Sequence, residues 1–152
     1  MNVVHITHRA DVLIAQSMAR RIARSLGFGT AACAELAIVA SELSSNILKH
    51  GGRGLLRVEP HHDPDHGAGV RLLAEDEGPH FRSFETALRD GFDDKGPVDA
   101  STLFHRRGTA SGLGAVHRMT DELTWEPREG GKVVIATRYV APPGKRTFTR
   151  RP

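Results

Sequence analysis

The chain has 152 residues, of which 39% are hydrophobic, 26% charged and 5% aromatic. This composition suits one globular domain and excludes disordered and fibrous architectures. The formal net charge is +3, but the last twelve residues hold Lys145, Arg146, Arg150 and Arg151 and no acid, leaving 17 basic against 18 acidic residues over 1–140. The sequence therefore predicts a domain over 1–140 that is no basic nucleic-acid surface, followed by a basic flexible tail over 141–152. The one cysteine, Cys33, cannot form an internal disulfide, and a reducing cytoplasm is the expected compartment. No run reads as apolar over the roughly 18 residues that a spanning helix requires, and the N-terminus lacks a basic segment followed by an apolar one. Neither membrane insertion nor secretion is expected.

In chain order, the β-branched run Asn2 to Ile6 predicts an edge strand. Asp11 to Leu26 follows with apolar residues at helical spacing (Val12, Leu13, Ala15, Met18, Ala19, Ile22, Ala23), stopped by Gly27 and Gly29. Thr30 is placed to cap a second helix that runs through Leu36, Val39, Leu43 and Ile47 to His50, where Gly51-Gly52 ends it. Leu55 to Glu59 and Val70 to Ala74 read as strands joined by the polar loop HHDPDHGAG. A short helix over Ser83 to Arg89 precedes a long aperiodic segment reaching Arg107, read as a mobile loop, a class usually tied to function. A helix over Gly112 to Met119 and strands over Glu122 to Glu126 and Lys132 to Val140 complete the order. The order predicts an α/β fold: a two-layer α/β sandwich, with helices packed on one face of a mostly antiparallel sheet.

Three clusters could carry chemistry. On the second helix Glu42, Asn46 and His50 recur every four residues. At about 100° per residue they flank the apolar stripe centred on Leu36, Leu43 and Ile47. A carboxylate and an amide oxygen one turn apart beside a sheet suit a metal ion and a proton acceptor, although a solvated helix edge is the commoner meaning of such a trio. Second, Asp76 ends the apolar strand Val70 to Ala74 just before Gly78-Pro79, where it either receives a ligand amino group or simply makes a turn. Third, Gly108-Thr-Ala-Ser-Gly112-Leu113-Gly114 opens a helix, so successive N–H groups can converge on phosphate oxygens. Its spacing matches neither the P-loop nor the dinucleotide fingerprint. The run HHDPDH at 61–66 contains metal-ligand residue types, but a flexible hairpin does not bring them together and a solvated loop is the expectation. Trp125, Phe81, Phe84, Phe92 and Phe104 are expected to be packing residues, those near the loop lending themselves to a docking surface.

Taken in order, SELSSNILKHGG, AEDEGP and GTASGLGAVHRMTDEL resemble the N-box and the two glycine boxes of the GHKL (Bergerat-fold) ATPase superfamily. The likeness runs from about Val3 to Val140 and is strongest to the small bacterial anti-sigma-factor serine/threonine kinases of the stress-response switch type. It implies ATP and Mg²⁺ as cofactors, with Asn46 as metal ligand and Glu42 as catalytic base or orienting group. It further implies nucleotide contacts from Asn46, His50, Asp76 (to the adenine amino group), Gly78, Arg107, Gly108, Gly112, Leu113 and Gly114, with Arg106 also near the lid. The reaction implied is transfer of the γ-phosphoryl group to a serine or threonine of an anti-sigma-antagonist (STAS) domain or scaffold protein. A PP2C-type phosphatase or a sigma factor would be a further partner, and a homodimer is compatible with the family. The competing expectation is a non-catalytic nucleotide-binding adaptor or anti-sigma factor, and a histidine-kinase core is disfavoured because no dimerising helix with a phospho-acceptor histidine precedes the fold. The chain departs from the family pattern where His80 replaces the second glycine of the first box. There a Cβ and an imidazole are expected to intrude. It departs again at Ala110 and Ala115, and at Lys132, where relatives commonly carry threonine.

Overall fold

The computed structural model describes residues 1–89, 92–93, 96–97 and 112–140. Five strands, β1 (Val3–Ile6), β2 (Gly54–Asp63), β3 (Gly67–Asp76), β6 (Glu122–Arg128) and β7 (Gly131–Tyr139), form one sheet in the order β1-β2-β3-β7-β6. Every pairing in it is antiparallel. A second, two-residue ladder joins β4 (Phe92–Asp93) to β5 (Gly96–Pro97) inside the stretch expected to be loop. Helices α1 (Arg9–Ser25), α2 (Thr30–Asn46) and α4 (Leu113–Met119) pack on the sheet, and the one-turn helix α3 (Phe84–Ala87) follows β3. The two-layer sandwich expected from the element order is the fold observed. The basic tail at 141–152 and the segment 98–111, with Phe104, Arg106, Arg107, Gly108 and Ala110, lie outside the described residues.

One core holds the layers together. Alternate residues of the strands, Val4 and Ile6, Leu56 and Val58, Val70, Leu72 and Ala74, Val134 and Ala136, face the helices, because side chains on a strand alternate sides. The helices answer with Ala15, Met18, Ala19 and Ile22 from α1 and Leu36, Val39, Ala40 and Leu43 from α2. Burying each Leu, Ile or Val contributes about 1.5–3 kcal/mol. Cys33 is buried in this core.

The helical segment Thr30–Gly51 is 22 residues long with a mean hydropathy of 1.3, enough by length and composition to cross a membrane, contrary to the expectation from the sequence. Its composition gives the reason: alanines and aliphatic residues run along a helix that packs beside α1 on the sheet, and 44% of the apolar window is buried there.

Local chemistry moved several boundaries. Helix α1 starts two residues earlier than predicted, with His8 as N-cap, because the Asp11 carboxylate accepts the backbone N–H groups of Thr7 and His8, each at 2.9 Å. Gly29 rather than Thr30 is the N-cap of α2. Strands β2 and β3 extend to Asp63 and Gly67 through the histidine-rich run, since backbone pairing continues regardless of polar side chains. Asp63 ties the remaining turn by accepting the N–H of Asp65 and of His66, each at 2.9 Å, and Gly67 supplies φ +81°. His66 also approaches Asp63 through Nδ1 at 2.8 Å and stacks on Tyr139, so the loop is a folded hairpin end.

Tyr139 donates its hydroxyl hydrogen to Glu122. Burial first, then that hydrogen bond and the charge of Glu122, push its pKa up to about 12. A phenol that ionises less readily when folded gives a stabilisation fully present below its ordinary value near 10 and lost as pH climbs toward 12. The urea midpoint should therefore hold between pH 8 and 9.5 and then fall, and Tyr139→Phe should flatten the Tyr139 part of that fall.

Candidate nucleotide-binding site

Asp76 is the last residue of β3, and the antiparallel register sets it opposite Lys132, near the start of β7. Both residues share the helix-facing side of the sheet with Ala74 and Val134. Lys132 Nζ donates to Asp76 Oδ1 at 3.0 Å, and the Gly78 N–H donates to the same oxygen at 2.8 Å, closing a tight turn. The two charged side chains are each only 5% exposed. Their mutual charge compensation is what permits an ion pair at such depth.

The space around Asp76 is made by glycines. A Cβ on Gly51 would stand 2.4 Å from the Asp76 Cβ, and one on Gly78 would stand 2.5 Å from the carbonyl oxygen of His50. The end of the second helix is thereby pressed directly against the Asp76 turn, and two of the three sequence clusters meet. Gly51→Ala should displace the carboxylate or the helix end, costing about 1–3 kcal/mol in urea unfolding.

Helix α2 does not run regularly to His50. After Asn46 it widens into a π-helical turn, Ile47–Gly51. Such turns concentrate at functional sites. Ile47 is fully buried and anchors the turn in the core. Glu42 and Asn46 are half-buried, and Asn46 makes no capping hydrogen bond with its side chain. His50 is exposed, and it is its backbone carbonyl that meets the Asp76 turn. The wider winding separates His50 from the straight Glu42-Asn46-His50 line that a uniform 3.6-residue period predicts.

The described part of the third cluster opens α4, which packs against α2. Gly112 is its N-cap with φ +55°, a left-handed conformation that favours glycine. Leu113 is 6% exposed, and Gly114 is buried beside it. At its other end, Arg138 donates to the Met119 carbonyl at 3.1 Å and fixes α4 to β7. Arg107 and Gly108 fall outside the described residues.

Two features were not picked out from sequence as parts of the site. Lys132 registered only as a departure from threonine. Its signal was parity: one of the two cations of β7, with Arg138, in phase with core residues Val134 and Ala136. The second is an aromatic wall. Phe81, Phe84 and Trp125 meet with ring centroids 5.0 Å apart for Phe81–Phe84 and 5.1 Å for Phe81–Trp125. Lys132 Nζ lies 5.2 Å from the centre of the Phe81 ring, on whose face a cation is stabilised. His80 turns toward β6: its Nε2 is 3.1 Å from the Arg128 carbonyl oxygen, its ring 6.1 Å from Trp125, and the residue is exposed.

An antiparallel sheet layered with helices, carrying a buried carboxylate at one strand end against the end of the second helix, defines a two-layer α/β sandwich. The chain belongs to the histidine kinase-like ATPase domain family, whose pattern matches residues 8–138. It is 32% identical over 122 residues to the serine/threonine-protein kinase RsbT of Bacillus subtilis, covering 80% of this chain and 82% of that one. Its fold matches a chain in the crystal structure of the SiaB–SiaC complex from Pseudomonas aeruginosa with a TM-score of 0.53 and 14% identity, over 91% of this chain and 89% of that chain.

Proposed function

We propose that the protein is an ATP-dependent serine/threonine protein kinase of a bacterial partner-switching pathway, acting in the cytoplasm on a STAS-type anti-sigma antagonist or scaffold. The observation that carries this reading is the contact of Gly51 with Asp76, which joins the Asn46-bearing helix to the carboxylate suited to a base amino group. Similarity to a serine/threonine kinase over most of both chains supports the reaction class.

In this reading Asp76 Oδ2 accepts a hydrogen bond from the purine, since the two hydrogen bonds that its carboxylate receives among the described residues both fall on Oδ1. Gly112, Leu113 and Gly114 present backbone at the opening of α4, with Arg107 and Gly108 preceding them. The amide oxygen of Asn46 is a hard donor of the kind Mg²⁺ prefers, and it stands half-buried without a capping bond, so the residue fits the ion. When bound, Mg²⁺ neutralises phosphate charge. Glu42, one turn before Asn46, orients the acceptor hydroxyl and takes its proton. His50 contributes through its backbone against Gly78, not through a straight line with Asn46. A partner protein supplies the acceptor residue, and exchange with a PP2C-type phosphatase or a sigma factor belongs to the same switch.

The test is incubation with γ-labelled ATP, Mg²⁺ and a STAS-domain protein of the same organism. Label on a serine or threonine of that protein supports the kinase. Nucleotide binding with no transfer favours the adaptor or anti-sigma alternative.

A further inference from the structure

We propose that Lys132 reads the purine base together with Asp76, so that the pocket accepts a 6-oxopurine nucleotide nearly as well as ATP; this rests on the nucleotide reading above. A bare carboxylate at the base floor selects adenine because it accepts from the 6-amino group and repels a 6-oxo group in the same place. Here the carboxylate is not bare. Lys132 Nζ stands 3.0 Å from Oδ1, in a pair whose side chains are each 5% exposed, where the charges compensate one another with little help from water.

The hydrogen-bonding capacities fit a base edge that offers one N–H and one acceptor side by side. Asp76 Oδ1 takes the hydrogen bonds of Gly78 and Lys132, and Oδ2 receives none among the described residues, which leaves it for a base N–H. The ammonium has three N–H groups. One meets Oδ1 and the group lies over the Phe81 ring, leaving a donor for the base. Adenine answers with its 6-amino hydrogen and N1. Hypoxanthine and guanine answer with N1–H and O6. The donor and acceptor have exchanged places, and a flexible lysine stem follows the acceptor where a short hydroxyl side chain would not.

ATP and ITP differ only in this edge and are the probes. Calorimetry with Mg²⁺ should give ITP a Kd within roughly tenfold of that of ATP for the wild-type chain, the discrimination expected when neither base leaves a pocket group unpaired. Lys132→Met should widen the gap by a further tenfold or so, chiefly by loss of ITP binding, while Lys132→Arg keeps the wild-type ratio. ATP binding with ITP weaker by more than that tenfold in the wild-type chain overturns the proposal and leaves the nucleotide reading standing. Binding of neither overturns both. The wild-type ratio decides the matter alone should Lys132→Met fail to fold, and an unchanged ratio in a folded Lys132→Met also overturns it.

Discussion

Replacing Asn46 with alanine should reduce Mg²⁺-dependent phosphoryl transfer by roughly 100-fold or more, the scale on which removal of one group stabilising transition-state charge is felt. The fold should survive. Asn46 is half-buried at the junction of α2 and the π-helical turn, and its side chain caps nothing there. Alanine also has the higher helix propensity. The expected pattern is an unaltered far-ultraviolet circular dichroism spectrum and melting temperature, with ATP binding that no longer tightens when Mg²⁺ is added. Glu42→Gln should separate from it, retaining Mg²⁺-dependent nucleotide binding while losing transfer. Transfer at the wild-type rate by Asn46→Ala would remove this residue from the site.

The Asp76–Lys132 pair supports an equally large effect on stability. Asp76→Asn preserves shape and leaves the Lys132 ammonium without its counter-charge at 5% exposure, a situation that costs about 3–5 kcal/mol when one partner of a buried pair is removed. Against a total stability of about 5–15 kcal/mol this is a large shift in urea midpoint. Combining Asp76→Asn with Lys132→Met removes both charges, so most of that loss should return, since apolar replacement of a whole buried pair is often neutral. Nucleotide affinity should not return with it. That divergence separates the structural part of the pair from its part in recognition, and equal urea midpoints for wild type and Asp76→Asn would contradict the burial from which both arguments start.

Much of the layout was legible in residue spacing. The 3.6-residue stripes of α1 and α2, the glycines after them and the β-branched runs specify which segments pair and which pack, and the ordered motifs pointed to the family that the comparison establishes. What stayed hidden depends on contacts between distant segments. Asp76 and Lys132 are 56 residues apart, and only the register of β3 with β7 makes them neighbours. The π-helical turn is invisible because Ile47 to Gly51 suits an ordinary helix locally, and it is tertiary packing around the buried Ile47 that accommodates the wider winding. Polar side chains at His61, His62 and Asp63 concealed strand continuation, since edge-on pairing of a hairpin end is driven by backbone groups.

The change of winding after Asn46 has a mechanical meaning. Asn46 rides on the last regular turn of α2, whereas Gly51 closes a coil of different pitch that is braced against the Asp76 strand end. Buried Ile47 at one end and Gly51 at the other hold that coil, so one packed unit sets the position of Asn46 relative to the Asp76 carboxylate.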